Sequence, residues 1–363
     1  MDSGARVNLG PPARLGVGAW AVGGAGWGSR GTAAERESAV RRALERGVTV
    51  FDTAPTYGDG ESERLLGHVF RGSRDRVFLA TKVGPKDDPR ASLEASLRRL
   101  DTDHVDLVQL HEALDGWERS LETLNRLREE GKTRAVGLSN ATGRQLSRAI
   151  ELVPLAAYQG PLNLFDRDVE ARELPLCRAR GVAFLAYRPL AAGLLAGTHA
   201  TPPEFPEGDH RRRIYWFKGA EFARRQAAMQ RLRQLGWPLP TLAIAWALAR
   251  PGVSVVLAGA RTAAQVDENV AALERPLPAD VGTEIDAVVT ETFRLPRVPA
   301  RVREAAAPWG ERERFIVDRL DGDRTAEQIA AEWTDRGVTP MIAAQVKVFV
   351  DQLRERGLLT AEG

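Results

Sequence analysis

Several apolar runs of this chain end in polar residues whose chemistries belong together. Asp52 ends one run and Tyr57 follows in the next turn; Lys82, His111, Ser139 with Asn140, Gln159 and Tyr187 end others. The set suits proton transfer to a carbonyl oxygen. A tyrosine with an ordinary pKa of about 10 is a poor acid at neutral pH, and a neighbouring ammonium stabilises its phenolate and lowers that value. Lys82 would supply the charge. Asp52 would keep Lys82 protonated and oriented, since a buried lysine or aspartate is costly unless paired. His111 would donate a hydrogen bond to the same substrate oxygen. Taken singly, each residue has a structural explanation, as a helix cap, a packed ring or a satisfied histidine, so the reading rests on their convergence. The lysine stands out further because the chain has 51 basic residues but only five lysines: Lys82, Lys86, Lys132, Lys218 and Lys347.

The elements that must carry these residues follow from periodicity. Eight short apolar, β-branched runs occur at 15 to 20, 48 to 53, 77 to 83, 104 to 111, 133 to 140, 156 to 163, 182 to 189 and 253 to 260. Amphipathic stretches separate them. One, at 32 to 46, has a Thr cap, early acids, late arginines and a closing Gly47. Eight strands alternating with helices predict an α/β fold, a (β/α)8 TIM barrel, whose active site lies at the carboxyl ends of the strands. The long Pro-, Gly- and Arg-rich segment 199 to 219, between the last two strands, reads as a lid or binding loop.

The 363 residues divide into a barrel at 1 to 294, a linker at 295 to 310 and a small helical domain at 311 to 363. Phe315, Ile316, Ile329, Trp333, Val346 and Phe349 are its expected core. The chain's net charge of +2 gives no reason to expect a polyanionic partner. Residues 301 to 363 carry 10 basic and 12 acidic side chains, a balance of −2 that argues against nucleic-acid binding. No apolar run is long enough for a membrane span and the start lacks a secretory pattern, so a cytoplasmic protein is expected. The single cysteine, Cys177, excludes an intrachain disulfide and reads as packing. The histidines (His68, His104, His111, His199, His210) show no ligand spacing, so no metal is expected.

The proton chemistry lacks a hydride donor. Gly23, Gly24, Gly26 and Gly28 have the wrong spacing for a Rossmann fingerprint. At this point the chain resembles the aldo-keto reductases over residues 14 to 293, through GVTVFDTAPTYGDGESERLLG, VFLATKVG, DLVQLH, GKTRAVGLSN and LAGARTAAQVDEN. The resemblance implies a catalytic tetrad of Asp52, Tyr57, Lys82 and His111, acting on a small-molecule carbonyl or alcohol with NADP(H) bound across the barrel mouth. It further implies that Ser139, Asn140 and Gln159 hold the nicotinamide carboxamide, that the ring stacks on Tyr187, and that Gly259, Arg261, Gln265, Glu268 and Asn269 serve the adenosine end. An arginine at a helix start after the eighth strand also suits a ribose phosphate on general grounds, favouring NADP(H) over NAD(H). Arg188 departs from the family's usual small residue and would contact a cofactor phosphate or an acidic substrate, or else narrow the site. EALDG after His111 departs too, so the substrate wall does not transfer. The tail resembles winged-helix domains that recognise leader peptides, which implies a peptide or carrier-bound partner. A helical cap, a dimerisation element, or a docking module of a cofactor-binding regulatory subunit are the other expectations for it.

Overall fold

The computed structural model describes residues 14–24, 26–27, 31–295, 310–335, 341, 343–356 and 358–359. Eight parallel strands close into a barrel in chain order: β1 (Leu15–Gly18), β2 (Val50–Asp52), β3 (Phe78–Val83), β4 (Leu107–Leu110), β5 (Val136–Ser139), β6 (Leu155–Pro161), β7 (Ala183–Tyr187) and β8 (Val253–Ala258). Each expected run overlaps one strand; all eight strands are shorter than their runs, and β6 starts one residue before its own. Between strands run α1 (Ala33–Glu45), α2 (Glu61–Phe70), α3 (Pro89–Leu100), α4 (Trp117–Glu129), α5 (Gly143–Leu152) and α6 (Glu173–Arg180). Two helices, α7 (Gly219–Arg233) and α8 (Leu239–Ala249), separate β7 from β8, and α9 (Ala263–Glu274) and α10 (Ala279–Phe293) follow the barrel. The Thr32 hydroxyl accepts from the Glu35 N–H while the Glu35 carboxylate reaches back to the Thr32 N–H, a capping box that starts α1 one residue inside its expected range. Cys177 is buried in α6.

Successive residues of a strand point to opposite faces, so one phase of each strand fills the barrel. That phase is small and apolar low in the barrel, with Val50, Ala80, Leu107, Ala157, Leu185 and Val255 forming one buried cluster. Two residues further on, the same phase gives Asp52, Lys82, Gln109, Gln159, Tyr187 and Leu257; His111 and Gly259 stand one more step up. The polar set is therefore the top layer of a column whose lower layers are apolar. Gly137 keeps room in that column, since a Cβ there would sit 3.0 Å from the Gln109 Cγ. The outer core, between strands and helices, contains the larger residues, including Phe51, Leu79, Val108, Leu138 and Trp246.

Past the barrel lie α11 (Glu311–Arg319), α12 (Ala326–Asp335) and α13 (Ala343–Glu355). Phe315, Ile316, Ile329, Trp333 and Val346 share one apolar cluster with Leu295, and Phe349 is partly buried against it. Among the described residues the tail has no strand pair of a wing, only the isolated bridge Arg294 to Thr325. The expected linker lies outside the described residues except for Leu295 and Gly310, as does the amino-terminal segment before Arg14. No described helix is long and apolar enough to cross a membrane.

Candidate active site

Lys82 is the centre of the top layer. Its ammonium, fully buried, donates to Asp52 Oδ2 at 2.5 Å, to the Thr53 carbonyl at 2.9 Å and to Tyr57 Oη at 3.2 Å. An ammonium has three N–H donors, and all three are thereby engaged. Asp52 Oδ1 accepts from Gln159 Nε2 at 2.8 Å and Gln109 Nε2 at 3.0 Å. Burial works against the lysine charge, but Asp52 and Tyr57 outweigh it and hold Lys82 above the usual lysine range.

Tyr57 is placed by a backbone interlock. A Cβ on Gly58 would lie 2.1 Å from the Gly23 carbonyl oxygen, and one on Gly23 would lie 2.7 Å from the Tyr57 carbonyl oxygen. Only glycines allow the loop after β1 and the Tyr57 turn to approach so closely. The phenol ring stacks on Trp20 at 5.6 Å and meets His111 edge-on at 6.0 Å. Burial pushes the phenol above its ordinary pKa, and the opposing pull of Lys82 only partly offsets this. The sequence reading expected the reverse net direction; desolvation, which depends on the closed barrel, decides it. The hydroxyl is therefore protonated at neutral pH. Among the described residues no acceptor takes its proton.

Burial, then the Lys82 charge, pushes His111 down to about 3, so its imidazole is neutral and one ring N–H remains a donor. Asn140, with φ +53°, ties the neighbouring strand ends together. Its amide donates to the His111 carbonyl at 3.0 Å and to Ser139 Oγ at 3.1 Å, and its Oδ1 accepts from Tyr187 Oη at 2.7 Å. Gln159 has its amide nitrogen engaged by Asp52, while its Oε1 meets no donor among the described residues.

One groove of about 640 Å³ joins these residues to the β8–α9 end, lined there by Gly259, Arg261, Gln265, Glu268 and Asn269. Gln265 Oε1 accepts from the Arg261 N–H at 2.9 Å, and Asn269 donates to the Gly259 carbonyl at 3.3 Å. Segment 199 to 219 lies over one edge of the groove as two short 3-10 turns, His210–Arg213 and Tyr215–Phe217. There the His210 ring stacks on Trp20 at 4.3 Å and abuts Trp27 edge-on at 4.3 Å. Arg211, ion-paired with Asp209, donates to the Trp27 carbonyl at 3.1 Å. Arg188 also lines the groove.

The sequence reading did not single out Gln109, Trp20, Trp27, His210 or Arg211. Gln109 was findable, as a lone amide two residues before His111 in an apolar run and so on the same strand face. Trp20 ends the first run and could have been counted with the other strand ends. No local signal pairs segment 199 to 219 with Trp27, because Arg211 is 184 residues away from it.

The model of the aldo/keto reductase family matches residues 14–290. The aldo-keto reductase YhdN of Bacillus subtilis is 35% identical over 275 residues, covering 70% of this chain and 83% of that protein. The NADH-specific methylglyoxal reductase of Escherichia coli is 29% identical over 301 residues, covering 72% of this chain and 89% of that protein. Among solved structures, the glycerol dehydrogenase AKR11B4 of Gluconobacter oxydans superposes with TM-score 0.69 at 30% identity, covering 86% of this chain and 99% of that one. An aldo/keto reductase of Klebsiella pneumoniae in complex with NADP and acetate gives TM-score 0.60 at 28% identity, covering 76% and 91%. A closed eight-stranded barrel with this match over 14–290 makes the chain a member of the aldo/keto reductase family, an oxidoreductase lineage.

Proposed function

We propose that this chain interconverts a carbonyl and an alcohol with NADP(H), Tyr57 being general acid in reduction and general base in oxidation. The observation that carries the proposal is the hydrogen-bond arithmetic at Lys82. Its three donors are engaged by Asp52, Thr53 and Tyr57, so Tyr57 receives a charge-assisted hydrogen bond and keeps its own proton for a substrate oxygen. As that proton leaves, the phenolate forms 3.2 Å from a fixed ammonium. Neutral His111, edge-on to the Tyr57 ring, is a second donor for the same oxygen. Asp52 holds the ammonium in place, and Gln109 and Gln159 hold Asp52.

The residues present suit a nicotinamide dinucleotide. A Cβ on Gly259 would meet only the Gly18 carbonyl, at 3.7 Å, so the groove stays open beside β8. Gln159 Oε1 is an acceptor without a donor, as a carboxamide N–H requires, and one lone pair of Asn140 Oδ1 remains beside the Tyr187 ring. Ser139, buried, supports Asn140. When bound, the reduced cofactor supplies a hydride to the carbonyl carbon. Arg261, at the start of α9 with Gln265, Glu268 and Asn269 behind it, favours NADP(H) by offering a guanidinium to a ribose phosphate. Relatives named for NADP and for NADH both occur, so this side chain rather than kinship supports the preference.

The division into a barrel at 1–294, a linker at 295–310 and a helical unit at 311–363 belongs to the same proposal. Two separate apolar clusters support it. Purified protein tested with NADPH and NADH in parallel on a panel of aldehydes and ketones should turn over with NADPH preferred. Tight NADPH binding without turnover on any carbonyl would instead indicate a cofactor-binding subunit and overturn the enzymatic reading.

A further inference from the structure

Three arginines line the groove, and two of them have acceptors: Arg211 is ion-paired with Asp209, and Arg261 donates to the Trp27 carbonyl. Arg188 differs. Its guanidinium has no hydrogen-bond or ion-pair partner among the described residues, and its Nε is buried without an acceptor. The carboxylates of the groove do not serve it. Asp52 is held by Lys82, Gln109 and Gln159, and neither Glu112 nor Glu268 pairs with Arg188.

The side chain is held near the reacting end. Its Cζ lies 5.5 Å from the Tyr187 ring centre and 5.9 Å from that of Trp20, and the same Trp20 ring stacks on Tyr57 at 5.6 Å. The Arg188 charge is among those that favour the Tyr57 phenolate. The backbone is bent to present it: Arg188, Ala191 and Ala192 have φ of +56°, +48° and +57°, and the Ala191 N–H donates to the Arg188 carbonyl at 2.9 Å. Non-glycine residues seldom adopt this conformation, and it persists where the surroundings impose it. A guanidinium steadied by aromatic rings with its donor edge unspent matches the paired oxygens of a carboxylate or phosphate.

We propose that Arg188 determines substrate specificity and that the substrate is an acidic carbonyl compound, its carboxylate or phosphate held by Arg188 while its carbonyl oxygen meets Tyr57. The inference rests on the oxidoreductase reading above. The Trp20 ring lies 5.9 Å from Arg188 Cζ and 5.6 Å from the Tyr57 ring, so both groups border one stretch of the groove and one small substrate can face both. The cofactor's diphosphate is the other oxyanion that could reach the same donors, and the test separates the two.

The full chain and its Arg188→Ala and Arg188→Lys variants are assayed with NADPH on 4-formylbenzoate and 4-nitrobenzaldehyde, which share a shape and differ in charge. NADPH affinity and thermal melting are measured for each protein. The wild type should prefer the carboxylate probe. In Arg188→Ala the ratio of kcat/KM between the probes should fall about 100-fold, mostly through KM, without a matching loss of NADPH affinity. Arg188→Lys should recover part of the ratio, because it restores the charge without the planar fork. An equal loss on both probes, or a loss of NADPH affinity that accounts for the whole effect, overturns the substrate assignment, the latter by giving Arg188 to the cofactor. A wild type that reduces the neutral probe as well as the charged one refutes only the role of Arg188. One that binds NADPH and reduces neither, nor any member of a wider carbonyl panel, refutes the oxidoreductase reading itself.

Discussion

Replacing Lys82 by methionine separates what the buried ammonium does for the fold from what it does for the reaction. The Nζ to Oη distance is 3.2 Å. At an effective dielectric constant near 20, a unit charge at that distance stabilises a phenolate by about 5 kcal/mol. Half-developed phenolate charge in the transition state would lose about half of that, so kcat should fall between about 10² and 10⁴-fold. The same change strands the Asp52 carboxylate, which is 3% exposed, at a cost of about 3–5 kcal/mol in stability. Adding Asp52→Asn removes the stranded charge while leaving Oδ1 as an acceptor for Gln109 and Gln159. Lys82→Met should therefore melt well below the wild type, and Lys82→Met/Asp52→Asn should regain most of the loss. Both should remain slow. Steady-state kinetics with NADPH, NADPH titration and thermal melting on the wild type and the two variants decide it. A double variant that recovers kcat along with its melting temperature would refute the assignment of Lys82 to Tyr57 chemistry and leave it a purely structural cation.

Arg261→Ala should weaken NADPH by roughly 10 to 100-fold and NADH far less, read from parallel binding titrations; equal losses would remove the support for a ribose-phosphate contact. His111 gives a pH prediction with a fixed sign. Its folded pKa lies near 3 against an ordinary value of 6.5, so its contribution is fully present above about pH 6.5 and is lost as the pH falls toward 3. The loss is on the order of 3–5 kcal/mol, and His111→Gln should flatten this part of the stability curve measured by denaturant melts. Gln109→Leu removes one donor to the buried Asp52 and should cost about 1–3 kcal/mol in the same assay; an unchanged melting midpoint would mean that Gln159 alone satisfies Oδ1.

The strand ends were legible because a closed parallel barrel imposes one rule on all eight strands: the inward phase, followed to the carboxyl end, opens onto the mouth. Asp52, Lys82, His111, Gln159 and Tyr187 obey it, and α1 was legible from its own cap. What escaped depends on closure. The sequence places Gln109 on the inward face but not its partners, since Asp52 and Gln159 come beside it from distant parts of the chain. The net direction of the Tyr57 shift is not legible in the sequence, which names the charge at Lys82 but not the depth of burial that opposes it. Arg225 likewise looks like a surface residue of α7, yet it is 1% exposed, paired with Glu221, with Phe293 and Tyr215 around its guanidinium. The contact of His210 with Trp27 joins two loops with no shared pattern.

Delivery of the proton by Tyr57 in an NADPH-dependent reduction is tested by the reduction of 4-nitrobenzaldehyde with saturating NADPH, by the wild type and by Tyr57→Phe, with NADPH affinity measured for both. The wild type should turn over, and kcat should be lower by about 10²-fold or more in the variant at similar NADPH affinity. Equal rates in the two proteins would contradict it.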